Sequence, residues 1–363
     1  MIENLVRVPT VRITPRRITM FDNFLVNNTP VRLQDLKGKK ISITGSRPHI
    51  SHRSQTKIRT AIDYLTTISP KKTVYDQAID KSVTFNLVFV TLTLSSEQVH
   101  SDNELKKIVL HQFITEITKV YKVNHYLWRM EKQCNLNTHF HFVFNRFIPY
   151  YELRQRWNRI QNKLGYVDRY RTEMLQYFKD GFRLSKNPND KRDYQTQLAA
   201  YKLGVKTDWS QPNSTDIHSV FNVSNLSLYV SKYMAKSEKE NHTRVLRSDL
   251  AVPSTIRADR PSVSPGALKY LRSIANIGRL WGSDVGLSRL KGFSQELDSQ
   301  IDAEITRLKA DKRSWFVNTD YCGIIYYDLA LLRELKCTAI FTAILNNIID
   351  SLGVSDYYSK DTG

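Results

Sequence analysis

Several kinds of pattern are missing from this 363-residue sequence. It has only three cysteines, Cys134, Cys322 and Cys337, far apart and with no Cys-x-x-Cys pair, so neither a thiolate zinc site nor a disulfide framework is expected and the thiols read as reduced. No stretch approaches the ~18 consecutive apolar residues of a spanning helix, and the N-terminus lacks a continuous apolar segment of signal-peptide type. The expectation is a soluble cytoplasmic protein with no membrane partner. There is no G-x-x-x-x-G-K-[ST] run, which excludes an ATP-driven motor of the common phosphate-loop kind. Acidic residues are scarce: 35 Asp and Glu stand against 54 Lys and Arg, a formal net charge of +19. Such a balance favours a polyanionic partner through phosphate contacts and counterion release.

What is present is ordered along the chain. Residues 1–80 are basic and broken by turns at Pro30, Gly38, Gly45 and Pro48, and read as an accessory region. Within it "KKISITG" reads as a short strand, and "QTKIRTAIDYLTTI" puts Ile58, Ala61, Ile62 and Leu65 on one helical face with Lys57 and Arg59 elsewhere. Residues 81–245 form the expected main domain. "TFNLVFVTLTLS" has the β-branched and aromatic content of a central strand. A helix follows from Glu104 to Tyr121, with Leu105, Ile108, Val109, Phe113, Ile117 and Val120 on its apolar stripe. "HYLWRMEKQ" and "THFHFVFNRF", joined by the turn "CNLN", read as a β-hairpin, and a second helix is expected over about Tyr151 to Leu164. Residues 165–217 are polar and punctuated, an insertion expected to have little regular structure beyond short helices. "TDIHSVFNV" reads as a last strand, and "SNLSLYVSKYMAKSEKE" as a helix capped by Ser224 or Asn225. Beyond the Pro- and Ser-rich "AVPSTIRADRPSVSPG", the region 246–363 reads as mainly helical. The fold class is therefore α+β: a central antiparallel sheet flanked by helices, with a basic N-terminal extension and a mainly helical C-terminal region.

Two places carry chemistry. Strand side chains alternate between faces, so His139 and His141 in "THFHF" project together while Phe140 faces away. A histidine pair on a rigid strand needs one further ligand to hold a divalent metal, and Glu131, at the end of the partner strand, is placed to supply it. Asp216 and His218, on the strand before the last helix, are alternatives for that third ligand. The second place is the last helix, where Tyr229 and Tyr233 stand one turn apart, each followed three residues later by a lysine, Lys232 and Lys236. A phenol with a pKa of about 10 is a poor nucleophile at neutral pH. A metal holding the scissile phosphate and a lysine near the developing charge would supply what it lacks.

In this order, "FVTLTLS", "WRMEKQ" with "HFHFVF", and "YVSKYMAK" resemble the three motifs of the HUH endonuclease superfamily. The likeness is to its two-tyrosine replication initiators from small single-stranded DNA bacteriophages and related plasmids, over roughly residues 84–240. The resemblance implies a ferredoxin- or RRM-like antiparallel sheet and Mg2+ or Mn2+ held by His139, His141 and Glu131. It implies tyrosine attack on single-stranded or supercoiled origin DNA, leaving a 5′-phosphotyrosine and a free 3′-hydroxyl for rolling-circle replication. Tyr229 and Tyr233 would alternate, Lys232 is the better placed lysine with Lys236 as fallback, and a host helicase and polymerase are implied partners. A two-tyrosine transposase, a relaxase or a non-catalytic basic DNA-binding protein are the competing readings. The segment "GRLWGSDVGLSR" resembles regions downstream in these initiators, and its Trp281 is read as a packing residue.

Overall fold

The computed structural model of the protein describes residues 5–26, 29–31, 50–77, 80–133, 136–186, 190–220, 234, 278–319 and 322–352. Strands β1 (Leu5–Thr14) and β2 (Arg17–Val26) form a ten-residue antiparallel hairpin extended by β3 (Thr29–Val31). Helix α1 (His52–Thr67) starts at Ser51, whose hydroxyl accepts the Ser54 amide. It buries Ile58, Ala61, Ile62 and Leu65, as the spacing predicts, and leaves Lys57 and Arg59 on its outer side. A two-stranded ribbon, β4 (Lys72–Asp76) and β5 (Lys81–Phe85), leads into β6 (Leu87–Thr93).

The sheet that carries the motifs has five antiparallel strands. β6 pairs with β8 (Thr138–Phe144), β8 with β7 (Tyr126–Lys132), and β6 on its other side with β9 (Thr215–Val220). The short β10 (Trp281–Ser283) completes it beside β7, giving the order β10-β7-β8-β6-β9. One face is largely apolar. Val88, Val90, Leu92, Phe140, Phe142 and Met130 pack there under two helical segments. The first runs through α2 (Asp102–Glu104), a π-helical stretch (Leu105–Leu110) and α3 (His111–Lys119); the second is α4 (Tyr150–Gln161). Phe113 meets Phe142 and Trp157 edge-on, at centroid distances of 4.9 and 5.7 Å. The π-helical stretch changes the apolar stripe expected of a regular helix. Its wider turn rotates the face, so Leu110 is buried with Leu105, Val109, Phe113 and Ile117, while Ile108 and Val120 are exposed.

The insertion is more regular than its polar composition suggests. It holds α5 (Tyr166–Tyr177) and α6 (Tyr194–Lys206), helices of 12 and 13 residues, joined by an aromatic cluster of Tyr177, Phe178, Phe182, Tyr201 and Trp209. Gly204 belongs to that cluster: a Cβ there would meet the Trp209 ring at 2.3 Å. Short punctuated segments thus fold by aromatic contacts distant in sequence, which periodicity alone does not register.

The C-terminal region contributes α7 (Val285–Arg289), β11 (Phe293–Glu296), α8 (Ser299–Ala310), β12 (Trp315–Asn318), β13 (Gly323–Tyr326), α9 (Leu329–Glu334) and α10 (Thr338–Leu352). Its strands add to the N-terminal hairpin in a second sheet of order β11-β1-β2-β13-β12. Strands from the two ends of the chain therefore share one sheet. Val11, Ile13, Ile18 and Ile325 are buried on its inner face, in the same continuous core as Ile340, Ile344 and Ile348 of α10. Among the described residues Cys322 and Cys337 are free thiols, and no helix is long and apolar enough to cross a membrane. Cys134 and the expected strand "KKISITG" lie outside the described residues.

Candidate active site

The face of the five-stranded sheet opposite the Phe113 cluster is polar, and register fixes which side chains share it. Directly paired residues of antiparallel strands project to the same side. Glu131 pairs with His139, and His139 with Thr93; in the next row on that side Arg129 pairs with His141, and His141 with Thr91. The two histidines and Glu131 are thus brought onto one face of one hairpin, as strand alternation predicts.

The contacts follow. His141 Nε2 lies 3.2 Å from Glu131 Oε2, and His141 Nδ1 lies 3.0 Å from the Thr91 hydroxyl. The His141 ring stacks on Phe89, with centroids 5.6 Å apart and planes at 22°. The His139 and His141 rings are 6.0 Å apart. Burial, reinforced by the neighbouring His141, pushes the His139 imidazole down to about 4 against the pull of Glu131. His139 therefore stays neutral across the physiological range and keeps a lone pair free. Its Nε2 is buried with no hydrogen-bond partner among the described residues.

Local structure holds this end of the sheet in place. Lys132, next to Glu131 but on the opposite face, is nearly buried and donates to Asp102 (2.6 Å) and to the Thr138 hydroxyl (3.0 Å). Gln98 accepts the Thr138 amide at 2.9 Å. The helical layer is thereby pinned to the two hairpin strands beside Glu131 and His139. On the β6 side, Trp157 Nε1 donates to the Thr93 carbonyl at 2.7 Å, and the Ser95 amide donates to Gln161 at 2.8 Å. Ligands mounted on strands braced in this way need little reorganisation to act.

The alternative third ligands are placed differently. Asp216 is exposed on β9 and pairs with Thr91, so β6 separates it from the histidine strand, and the backbone of His218 pairs with Phe89 a further step away. Among the described residues, no three His, Cys, Asp or Glu side chains are already gathered as a metal-holding group. The Glu131 carboxylate is engaged by His141 instead. The donor set nevertheless suits a divalent ion: a neutral imidazole with a buried, unsatisfied nitrogen, a second imidazole and a carboxylate within hydrogen-bonding distance of it. His141 is also oriented from behind. The Thr91 hydroxyl can donate to Nδ1 or accept from it, so it supports either tautomer, including the one that frees Nε2 for a metal.

Tyr229, Lys232, Tyr233 and Lys236 lie outside the described residues. Met234, within that segment, is helical and fully buried in the core. Two features of this region were not singled out from sequence. One is Thr91, an ordinary residue within a strand whose partner is known only once β6 and β8 are paired. The other is the edge strand β10, in which Trp281 pairs with Arg129 and packs against the core, as its reading as a packing residue anticipates. Gly282 follows because a Cβ there would strike Trp128 Nε1 at 2.7 Å.

Fold and face together define an α+β protein whose antiparallel sheet presents two histidines and a carboxylate on one side. Residues 87–238 match the model of a replication-associated protein family, that of the ORF2 type. The match begins at the first residue of β6 and extends past Lys236, so it includes both the histidine face and the tyrosine segment, and it supports a replication initiator with DNA as its partner. No curated protein and no solved structure matches the chain.

Proposed function

We propose that the protein initiates rolling-circle replication by nicking single-stranded origin DNA through tyrosine transesterification. The observation that carries this reading is the placement of Glu131, His139 and His141 on one braced face, within the same matched span as the two tyrosines. His139, His141 and Glu131 would hold Mg2+ or Mn2+, and the two imidazoles favour the softer Mn2+. When bound, the ion supplies Lewis-acid polarisation of the scissile phosphate.

The phenol oxygen of Tyr229 or Tyr233 attacks the phosphorus, a phosphotyrosyl bond forms to the 5′ side, and the bond to the 3′ oxygen breaks. The phenol proton leaves as the bond forms and the departing oxygen is protonated to a 3′-hydroxyl, so the chemistry is an exchange of one ester for another and needs no nucleotide cofactor. Lys232, or Lys236 in its place, offsets negative charge at the phosphate and the phenolate. The other tyrosine then attacks when the origin is regenerated, rejoining the displaced strand. Host helicase and polymerase would act on the opened duplex in the bacterial cytoplasm.

The test is to incubate the full chain with labelled single-stranded origin DNA and Mn2+ and look for an adduct that survives denaturant. The adduct is expected with the wild-type protein, is lost on chelation, and is lost in the His139→Ala, His141→Ala variant while salt-sensitive DNA binding persists. A non-catalytic DNA-binding protein would bind and give no adduct. A transposase or relaxase would instead cut mobile-element ends or a transfer origin in preference to a replication origin.

A further inference from the structure

The second sheet, which lies outside residues 87–238, has an outer face with no part in the site described above. Its inner face is closed by core residues; the outer one is not. Trp315 on β12 pairs with Tyr326 on β13, and Tyr326 pairs with Arg17 on β2, so indole, phenol and guanidinium form one row across three strands. Trp315 is 68% exposed and Tyr326 38%, and their ring centroids are 6.1 Å apart. In the neighbouring row Arg12 pairs with Thr19, which in turn faces Ile324, and the Arg12 guanidinium lies 5.2 Å over the ring of Phe21 on the same face. The Arg17 Nε is buried without a hydrogen-bond partner among the described residues. Within these strands the one acidic residue on this face is Glu296, at the far edge on β11.

Exposed aromatic rings side by side on a sheet forgo the stabilisation of burial and gain nothing from the fold, which marks a contact surface. The arginines select its occupant. A face with two guanidinium groups and one distant carboxylate, on a chain of net charge +19, suits a polyanion that carries flat apolar faces. We propose that this outer face is a stacking platform for single-stranded DNA, with bases on Trp315 and Tyr326 and the phosphate backbone along Arg12 and Arg17. Duplex DNA hides its base faces in its own stack and would use only the arginines. The platform would hold the strand apart from the histidine face, which a nicking enzyme must do if it is to keep hold of a displaced strand; that last use rests on the proposed function, whereas the binding itself does not.

The experiment measures binding of the full-length protein to fluorescent oligo(dT), oligo(U), a duplex of equal length and heparin, all in excess chelator so that no strand is cut. The Trp315→Ala, Tyr326→Ala variant is expected to bind oligo(dT) about tenfold or more weakly, with heparin binding unchanged, because heparin has no bases to stack. Trp315→Phe, Tyr326→Phe restores most of the affinity, and Arg17→Gln lowers affinity for every polyanion and flattens the salt dependence. The assignment is overturned if the double alanine variant, folded by circular dichroism, binds oligo(dT) as the wild type does, if it loses heparin to the same extent, or if oligo(U) is bound in preference to oligo(dT). Because cutting is blocked throughout, absence of a covalent adduct elsewhere would not affect this result.

Discussion

Glu131 and His141 meet at 3.2 Å across two adjacent antiparallel strands, although Glu131 pairs in register with His139 rather than with His141. The carboxylate therefore leans diagonally along the face towards the second histidine, and one side chain is within reach of both imidazole positions. This diagonal is what makes Glu131 the natural third ligand, and it distinguishes it from Asp216.

Replacing Glu131 by Gln keeps its size and removes its charge. Mn2+ affinity, followed by titration calorimetry, is expected to fall at least tenfold, whereas Asp216→Asn, separated from the histidine strand by β6, is expected to leave it within about twofold. The reverse pattern would move the third ligand to β9.

Thr91→Val is close to isosteric and removes only the hydroxyl that orients His141. The expected result is a roughly 10–100-fold loss of metal affinity with an unchanged unfolding midpoint, as for other partners that orient a ligating histidine. An unchanged affinity would show that the stack on Phe89 alone orients the ring.

The buried Lys132–Asp102 pair predicts a stability effect separate from chemistry. Lys132→Met leaves the Asp102 carboxylate buried without its cation and is expected to cost about 3–5 kcal/mol in denaturant unfolding. The double change Lys132→Met, Asp102→Leu should recover much of that loss, because no charge then remains buried.

The metal-free protein should also lose stability in acid. The folded His139 imidazole titrates at about 4 and the unfolded one near its ordinary value of 6.5, so the unfolded chain binds the proton first as pH falls. Stability from this group is complete above about pH 6.5, declines through the window down to about pH 4, and is then constant; the total is at most roughly 3 kcal/mol. His139→Gln should flatten that part of the pH–stability curve, and an identical slope in the variant would assign it to other groups.

The histidine face was legible in the sequence because its elements are local. A β-branched strand, a hairpin with its turn and a two-residue alternation are all encoded within about fifteen positions, and together they bring His139, His141 and Glu131 to one side. The second sheet was not legible for the opposite reason: Ile13 pairs with Phe293, and no periodic signal reports a partner so far along the chain. The π-helical stretch escaped for a third reason. Leu105, Ile108 and Val109 obey regular helical spacing, and only the packing against the sheet selects Leu110 over Ile108.

The most direct measurement is to digest the covalent protein–DNA adduct and map the modified peptide by mass spectrometry. Attachment of the 5′-phosphate to Tyr229 or Tyr233, with no adduct formed by the Tyr229→Phe, Tyr233→Phe variant, is the expected result. A nucleotide attached to any other side chain, or an adduct that persists in that double variant, would contradict it.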